Sequence, residues 1–323
     1  MPDPDPRPTR HVPARDLPVP ASLSPEAQVQ MAFQMPQGPP YPPLDDHDAW
    51  RARIAMGDES ILPAALDQAS KVAADVEEIQ ADGARVYVAN LRDKPANDRA
   101  VFLDVHGGAL IMCGGEICRA WASSTAKRVG ARVWSVDYRM PPEHPYPAGL
   151  DDCVAAYRAL LLERRPEEII IGGASAGGNL AAALILRARD EGLPLPAAAV
   201  LLTPEVDLTE SGDSFNTNLG VDSILGRLMP ANLLYAGGHD LSHPYLSPLF
   251  ADFAKGFPPT FLSTGTRDLF LSNTVRMHRA LRNAGVAAEL HVLEAASHGG
   301  FPGTPEGEDL DREIRRFVQA HWR

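Results

Sequence analysis

The chain has 323 residues, 45% of them hydrophobic, with a formal net charge of −12 and a pI near 5.3. That length can bury one large core, and a single α/β domain with an added segment fits it as well as two small domains. The negative field argues against a nucleic acid or an anionic membrane as partner, and three cysteines (Cys113, Cys118, Cys153) without a CxxC pair form neither a disulfide framework nor a zinc-ligand pattern.

The first 20 residues are rich in proline and charge and offer little apolar surface to bury, so they are expected to form a flexible tail. They lack the apolar core of a signal peptide, and no later run approaches the roughly 18 apolar residues of a membrane span, so a cytoplasmic protein is expected. Order is expected from Ser24, a capping residue before Pro25, with Val29, Ala32 and Phe33 on one helical face. A proline-rich stretch over 35–43 separates this from a second helical segment beginning near Asp45. Both helices read as short and amphipathic, a cap over 21–70. From about residue 72 the pattern changes to strands alternating with helices. Apolar runs at Arg85–Val88, Val101–Val105, Val133–Val136, Ile169–Ile171, Ala199–Leu202, Thr260–Ser263 and Glu289–Leu293 predict a mostly parallel sheet covered on both faces by helices. The helix after Ser175 should turn Leu180, Leu184 and Ala188 inward, and the last helix Leu310, Ile314 and Phe317. More than fifty residues separate the strand ending near Thr203 from the one starting near Pro259. This is too long for a plain crossover and predicts a cap insertion at about 208–245 within a catalytic domain of 71–323.

Gly173-Ala174-Ser175-Ala176-Gly177 matches GxSxG and falls between a strand and an amphipathic helix. Such a turn exposes the serine oxygen and aims the helix N-terminus at it, although a plain glycine-rich turn or a phosphate cradle would share the string. A nucleophilic serine needs a base and donors for the oxyanion. His106-Gly107-Gly108-Ala109 follows the strand Val101–Val105, so its backbone N–H groups are candidate donors together with that of Ala176. Among ten histidines, His291 lies in a strand pattern and His321 in the terminal helix. His298 sits on a loop after the last strand, the place of the base in the α/β-hydrolase order Ser, Asp, His. Asp268, after the preceding strand, is the candidate acid.

These features resemble the hormone-sensitive lipase family of bacterial esterases from about residue 101 to the end, and more weakly in the N-terminal cap. The matching stretches are His106–Ala109, Asp137-Tyr138-Arg139 with Pro142-Glu143-His144-Pro145, the serine elbow, Asp207 in Val206–Thr209, Ser247–Asp252, and Asp268 with His298. The resemblance implies an α/β-hydrolase fold with a helical cap, and hydrolysis of short to medium acyl esters through a Ser-His-Asp triad and an acyl-enzyme. It implies no metal or organic cofactor, and oxyanion donors at Gly108, Ala109 and Ala176 in a loop opened by Gly107. It leaves a homodimer open.

Three positions depart from the family pattern: Ala109 replaces a common third glycine, Ala174 an aspartate or threonine, and Glu205 an apolar or aromatic residue. Glu205 is expected either to pair with an arginine or to border the acyl pocket. Asp137, Arg139 and Glu143 are expected to form an ion-pair scaffold for the oxyanion loop. A lactone hydrolase or an amidase using the same triad competes with the ester reading. A ligand-binding member of the fold without catalysis should lack the base, which this chain retains in His298.

Overall fold

Burial on both faces makes the central strands nearly continuous apolar runs whose alternate side chains enter different cores. The strand Val101–Val105 (β3) is buried throughout: Val101, Leu103 and Val105 enter one core and Phe102 the other. This computed structural model describes residues 8–33, 38–94 and 99–323. The remaining strands are β1 (Ala74–Ala81), β2 (Ala84–Leu91), β4 (Arg132–Val136), β5 (Ile169–Ala174), β6 (Ala198–Leu202), β7 (Thr260–Gly265) and β8 (Ala288–Leu293). They form one sheet in the order β1-β2-β4-β3-β5-β6-β7-β8; β2 runs antiparallel to both its neighbours, and every pairing from β4 to β8 is parallel.

The expected strands are all present. Strand β1 is additional. Its sequence, ADVEEIQA, is half exposed at the sheet edge, so it lacks the apolar run that marks the others. The legible sign is its turn: Asp82 and Gly83 both take positive φ (51° and 87°), which suits a two-residue Asp-Gly hairpin.

Helices α3 (Glu116–Val129) and α9 (Pro305–His321) cover one face, burying Ala122, Ala126, Ile314 and Phe317. The other face carries α4 (Ala148–Leu161), α5 (Ala176–Asp190) and α8 (Leu271–Asn283), with Leu150, Leu180, Leu184 and Met277 in the core. Two short helices, α6 (Ser214–Thr217) and α7 (Met229–Ala236), lie in the strand-free interval between β6 and β7.

The N-terminal segment holds α1 (Pro25–Ala32) and α2 (His47–Ser70). Ser24 caps α1 as expected, its Oγ accepting the Ala27 N–H at 3.2 Å. The buried face differs from expectation: Val29 and Phe33 are exposed, and Leu23 and Ala27 pack instead on Ala295, Ala296 and Phe301. The partner surface decided the face, since α1 has little hydrophobic asymmetry of its own. The second helix is not short. It runs 24 residues through Pro63, capped by Asp46 and anchored by fully buried Trp50. Residues 1–7 of the expected tail, and 34–37 in and beside the expected proline-rich stretch, lie outside the described residues.

Candidate active site

Parallel strands place their following loops along one edge of the sheet, and the functional candidates fall on these loops. Ser175 follows β5 directly at φ 59° and ψ −124°, an L-residue conformation that costs about 1–3 kcal/mol. The flanking glycines are required by close approach. A Cβ at Gly173 would lie 2.4 Å from the Val105 carbonyl oxygen, and one at Gly177 1.9 Å from it. The elbow is thus wedged against β3, and the strained serine heads α5.

His298 Nε2 lies 2.9 Å from Ser175 Oγ, and its Nδ1 lies 3.2 Å from Asp268 Oδ1. The structure therefore brings together the three residues singled out from sequence. Asp268 is fully buried, and its Oδ1 also accepts the Phe270 N–H at 2.8 Å while Oδ2 accepts the Thr264 hydroxyl at 2.8 Å. Burial alone would raise its pKa, but attraction to His298 and these hydrogen bonds hold it below the usual carboxylate value. The Phe270 ring meets the imidazole edge-on at 4.9 Å.

Sequence reasoning missed Thr203. It follows β6 at φ 43°, and its Oγ1 donates to Asp268 Oδ2 while lying 2.8 Å from His298 Nδ1. The threonine proton is committed to the carboxylate, so its lone pair faces the ring. Nδ1–H is then shared by Asp268 and Thr203, and Nε2 presents its own lone pair to Ser175. A threonine at a strand end carries no distinctive local signal. Asp222 was also missed; its carboxylate accepts the N–H of Leu269, next to Asp268, at 2.8 Å.

The loop after β3 abuts Ser175: a Cβ at Gly107 would sit 3.5 Å from Ser175 Cβ. Gly108 and Ala109 take positive φ (120° and 52°), and among the described residues neither N–H has a protein partner. With the N–H of Ala176 at the first position of α5, these are available donors beside the serine oxygen. Gly107 opens the loop. His106 anchors it from behind, stacked at 4.1 Å on Tyr138, whose hydroxyl donates to the His106 carbonyl at 3.1 Å. The far end is held by Asp58 of α2, which accepts the Cys113 N–H at 2.8 Å, and by Asp137, which accepts the Gly115 N–H at 3.0 Å.

The expected scaffold is a set of separate ion pairs. Asp137 pairs with Arg85 beneath the loop, Arg139 with Asp152 of α4 at 2.8 Å, and Glu143 with Arg51 of α2 at 2.5 Å. His106, Cys118 and Asp137 offer ligand-type atoms within 4.8 Å of one another, but Asp137 is already engaged by Arg85 and Gly115. The three cysteines are buried and free. His291 stacks on Phe261 and His321 bonds the Phe317 carbonyl, both away from the serine.

Glu205 departs from the first of its two expected roles. It is fully buried, and no arginine pairs with it among the described residues. Its N–H donates to the Ser175 carbonyl at 3.2 Å, and its neighbours are Asn232, Glu210 and Asp207. Burial, reinforced by those two carboxylates, pushes its pKa up to about 8. Burial thus favours its neutral carboxylic acid form. A cavity of about 640 Å³ lined by Arg99, Arg158, Arg164 and Pro194 lies at the opposite, amino-terminal edge of β3 and β5. Another, of about 400 Å³, lies between α2 and the segment after β4. Neither contains the serine, so chemistry locates the site and cavity size does not.

A family model for the alpha/beta hydrolase fold matches residues 102–302, and the chain is an α/β-hydrolase. An acetyl-hydrolase of Streptomyces hygroscopicus is 34% identical over 234 residues, 70% of this chain and 78% of that one. An esterase of Acinetobacter venetianus is 33% identical over 195 residues, 59% of this chain and 64% of its own length. The crystal structure of the esterase E25 matches with a TM-score of 0.90 at 35% identity, covering 98% of this chain and 99% of that one. An esterase from the bacterial hormone-sensitive lipase family matches with a TM-score of 0.78 at 31% identity, over 93% and 99%. Within the superfamily the protein belongs to the hormone-sensitive-lipase-like bacterial esterases, enzymes of ester hydrolysis. Among the described residues, no helix is long and apolar enough to cross a membrane.

Proposed function

We propose that the protein is a serine carboxylesterase that cleaves short to medium acyl esters through an acyl-enzyme on Ser175. The observation that carries this reading is the 2.9 Å contact between Ser175 Oγ and His298 Nε2, with Nδ1 held on its far side. As Ser175 Oγ attacks the ester carbonyl, His298 Nε2 takes its proton, and the carbonyl oxygen becomes an oxyanion facing the N–H groups of Gly108, Ala109 and Ala176. Each such donor is worth about 10²–10³ in rate. Asp268 remains ionised and stabilises the imidazolium; it accepts no proton itself. The tetrahedral intermediate collapses, His298 returns the proton to the departing alkoxide, and the alcohol leaves. Water then repeats the sequence: His298 removes its proton, hydroxide oxygen bonds the acyl carbon, and Ser175 departs reprotonated. No step calls on a metal.

A fluorophosphonate probe is expected to label Ser175 stoichiometrically, and activity should resist chelators. Ser175→Ala and His298→Ala should each lower kcat by about 10⁴-fold or more, with the double variant hardly worse, because these groups act as a unit. Rates on p-nitrophenyl esters of graded chain length, beside lactones and amides, define the substrate class. Undiminished hydrolysis by Ser175→Ala ends the reading, and preferential turnover of lactones over esters moves it to lactone hydrolysis.

A further inference from the structure

His298 and Asp268 stand on loops that follow different strands, β8 and β7, and the sheet ladder ends before either residue. The His298 loop is built from unusual backbone: Ala295, Gly299, Gly300 and Gly303 all take positive φ, between 59° and 86°. Three glycines give such a loop many alternative conformations, so something outside it must select the one that aims Nε2 at Ser175.

Asp222 lies between the two loops. It belongs to the segment between β6 and β7, is 4% exposed, and spends its carboxylate on backbone N–H groups. Oδ2 accepts the N–H of Leu269 at 2.8 Å and that of His298 itself at 3.3 Å. Oδ1 accepts the N–H groups of Ile224 at 2.9 Å and Leu225 at 3.1 Å, which fixes the carboxylate to its own segment. Neighbouring bonds reinforce the junction. Asn218 Nδ2 donates to the Asp268 carbonyl at 2.8 Å, and the Ser223 N–H donates to Ser297 Oγ at 3.1 Å.

We propose that Asp222 is a positioning residue for the esterase reaction, one carboxylate that joins the backbones carrying the acid and the base and so sets their separation and aim. The proposal rests on the reading of Ser175, His298 and Asp268 as the catalytic groups. Its consequence is that the insertion is part of the catalytic apparatus: when it is seated, the His298 imidazole is aligned. Misplacement of a catalytic group by about 1 Å can cost about 100-fold in rate. Loss of the bridge should therefore act on turnover, since Asp222 approaches the site through main-chain atoms of the loops and not through the substrate.

The test uses the full chain with Asp222→Asn and Asp222→Ala. Asparagine keeps the shape but replaces one acceptor oxygen with a donor that faces N–H groups. The expected result is a fall in kcat of about 10- to 100-fold on p-nitrophenyl butyrate, with KM within about twofold of the parent. Fluorophosphonate labelling of Ser175 should slow by a similar factor. Arg227→Ala, which breaks the Arg227–Glu210 pair (3.0 Å) in the same segment, supplies the structural control: it should lower Tm with parental kcat and labelling rate. If Asp222→Ala does not fold, Asp222→Asn decides. A folded Asp222→Asn with parental kcat and labelling rate overturns the proposal. So does an activity loss that Arg227→Ala reproduces with the same kcat, KM and labelling signature. Failure of the catalytic reading is distinguishable, since it would appear as full activity in Ser175→Ala or His298→Ala.

Discussion

Two segments outside the sheet border the active-site edge, and they are attached in different ways. The N-terminal segment leans on the site from its periphery. Leu23 and Ala27 of this segment pack against the loop before His298, Ser24 donates its N–H and hydroxyl to Glu306 at 2.6 and 2.7 Å, and Asp58 holds the far end of the oxyanion loop. The segment after β6 is threaded into the site itself. Thr203 and Asp222, both buried, and Asn218 and Ser223, both half-buried, bond Asp268, His298 or their immediate neighbours. Part-buried contacts at the periphery can be lost with a graded effect, because water can replace a lost partner, whereas a buried polar bond, once broken, strands a group that has no solvent to replace its partner. Damage in the insertion should consequently strike kcat, and damage in the N-terminal segment should strike selectivity and mobility.

The largest effect expected outside the three central residues and Asp222 is at Thr203. Thr203→Val removes a charge-assisted hydrogen bond of about 1.5–3 kcal/mol from Asp268 and one acceptor from the imidazole. Its kcat should fall about 10- to 100-fold by steady-state kinetics, while Thr203→Ser keeps the hydroxyl, relieves the β-branched side chain at positive φ, and should retain activity. Equal activity in the valine and serine variants would reduce Thr203 to a packing role.

A smaller effect is expected from the other segment. Removal of residues 1–20 should alter little, although the Pro18 carbonyl accepts from Arg267 at 3.0 Å. Removal through residue 45 deletes α1 and the Tyr41 ring that stacks on Trp50 at 5.5 Å. It should lower turnover of the preferred ester severalfold and flatten the dependence on acyl chain length, with Ser175 still reactive to a fluorophosphonate. A folded truncation with the parental chain-length profile would show that this segment is not a lid and leave that task to the insertion.

The smallest effect concerns stability alone. Glu205 follows β6, and its carboxyl is raised by burial to about 8 from an ordinary 4.5. Between those values the unfolded chain releases a proton that the fold retains, so the stability associated with Glu205 declines as pH rises through that window. Glu205→Gln removes this decline. The variant should gain in Tm over the parent progressively from pH 5 to pH 8, and a gap that does not grow with pH would mean that Glu205 has a cationic partner or water in solution.

Much was legible without coordinates because it is written in local chemistry. The GxSxG glycines announce a turn that no larger residue tolerates, as the 1.9 Å approach at Gly177 bears out. The apolar runs mark strands buried on both faces, and His298 and Asp268 are recognisable by their order at successive strand ends. Strand β1 escaped because an edge strand need not be apolar, and the buried face of α1 was misjudged because its partner loop lies some 270 residues away in sequence. Thr203 and Asp222 escaped for a related reason, and Glu205 was noticed without its burial being foreseen. Thr203 and Asp222 are ordinary residue types with ordinary local meanings, and their roles come from groups tens of residues distant: Asp268 and His298 for Thr203, Leu269 and His298 for Asp222. For Glu205 it is a pocket without an arginine, among the described residues, that raises its carboxyl. The sequence alone therefore determined the central strands of the sheet, the elbow and the candidates for nucleophile, base and acid, since these depend on periodicity, turn sterics and strand order. Only the tertiary structure decided which groups hold the His298 and Asp268 loops together and which carboxyl burial pushes up, because hydrogen bonding and desolvation depend on what the fold brings within a few ångströms, and sequence distance does not encode that.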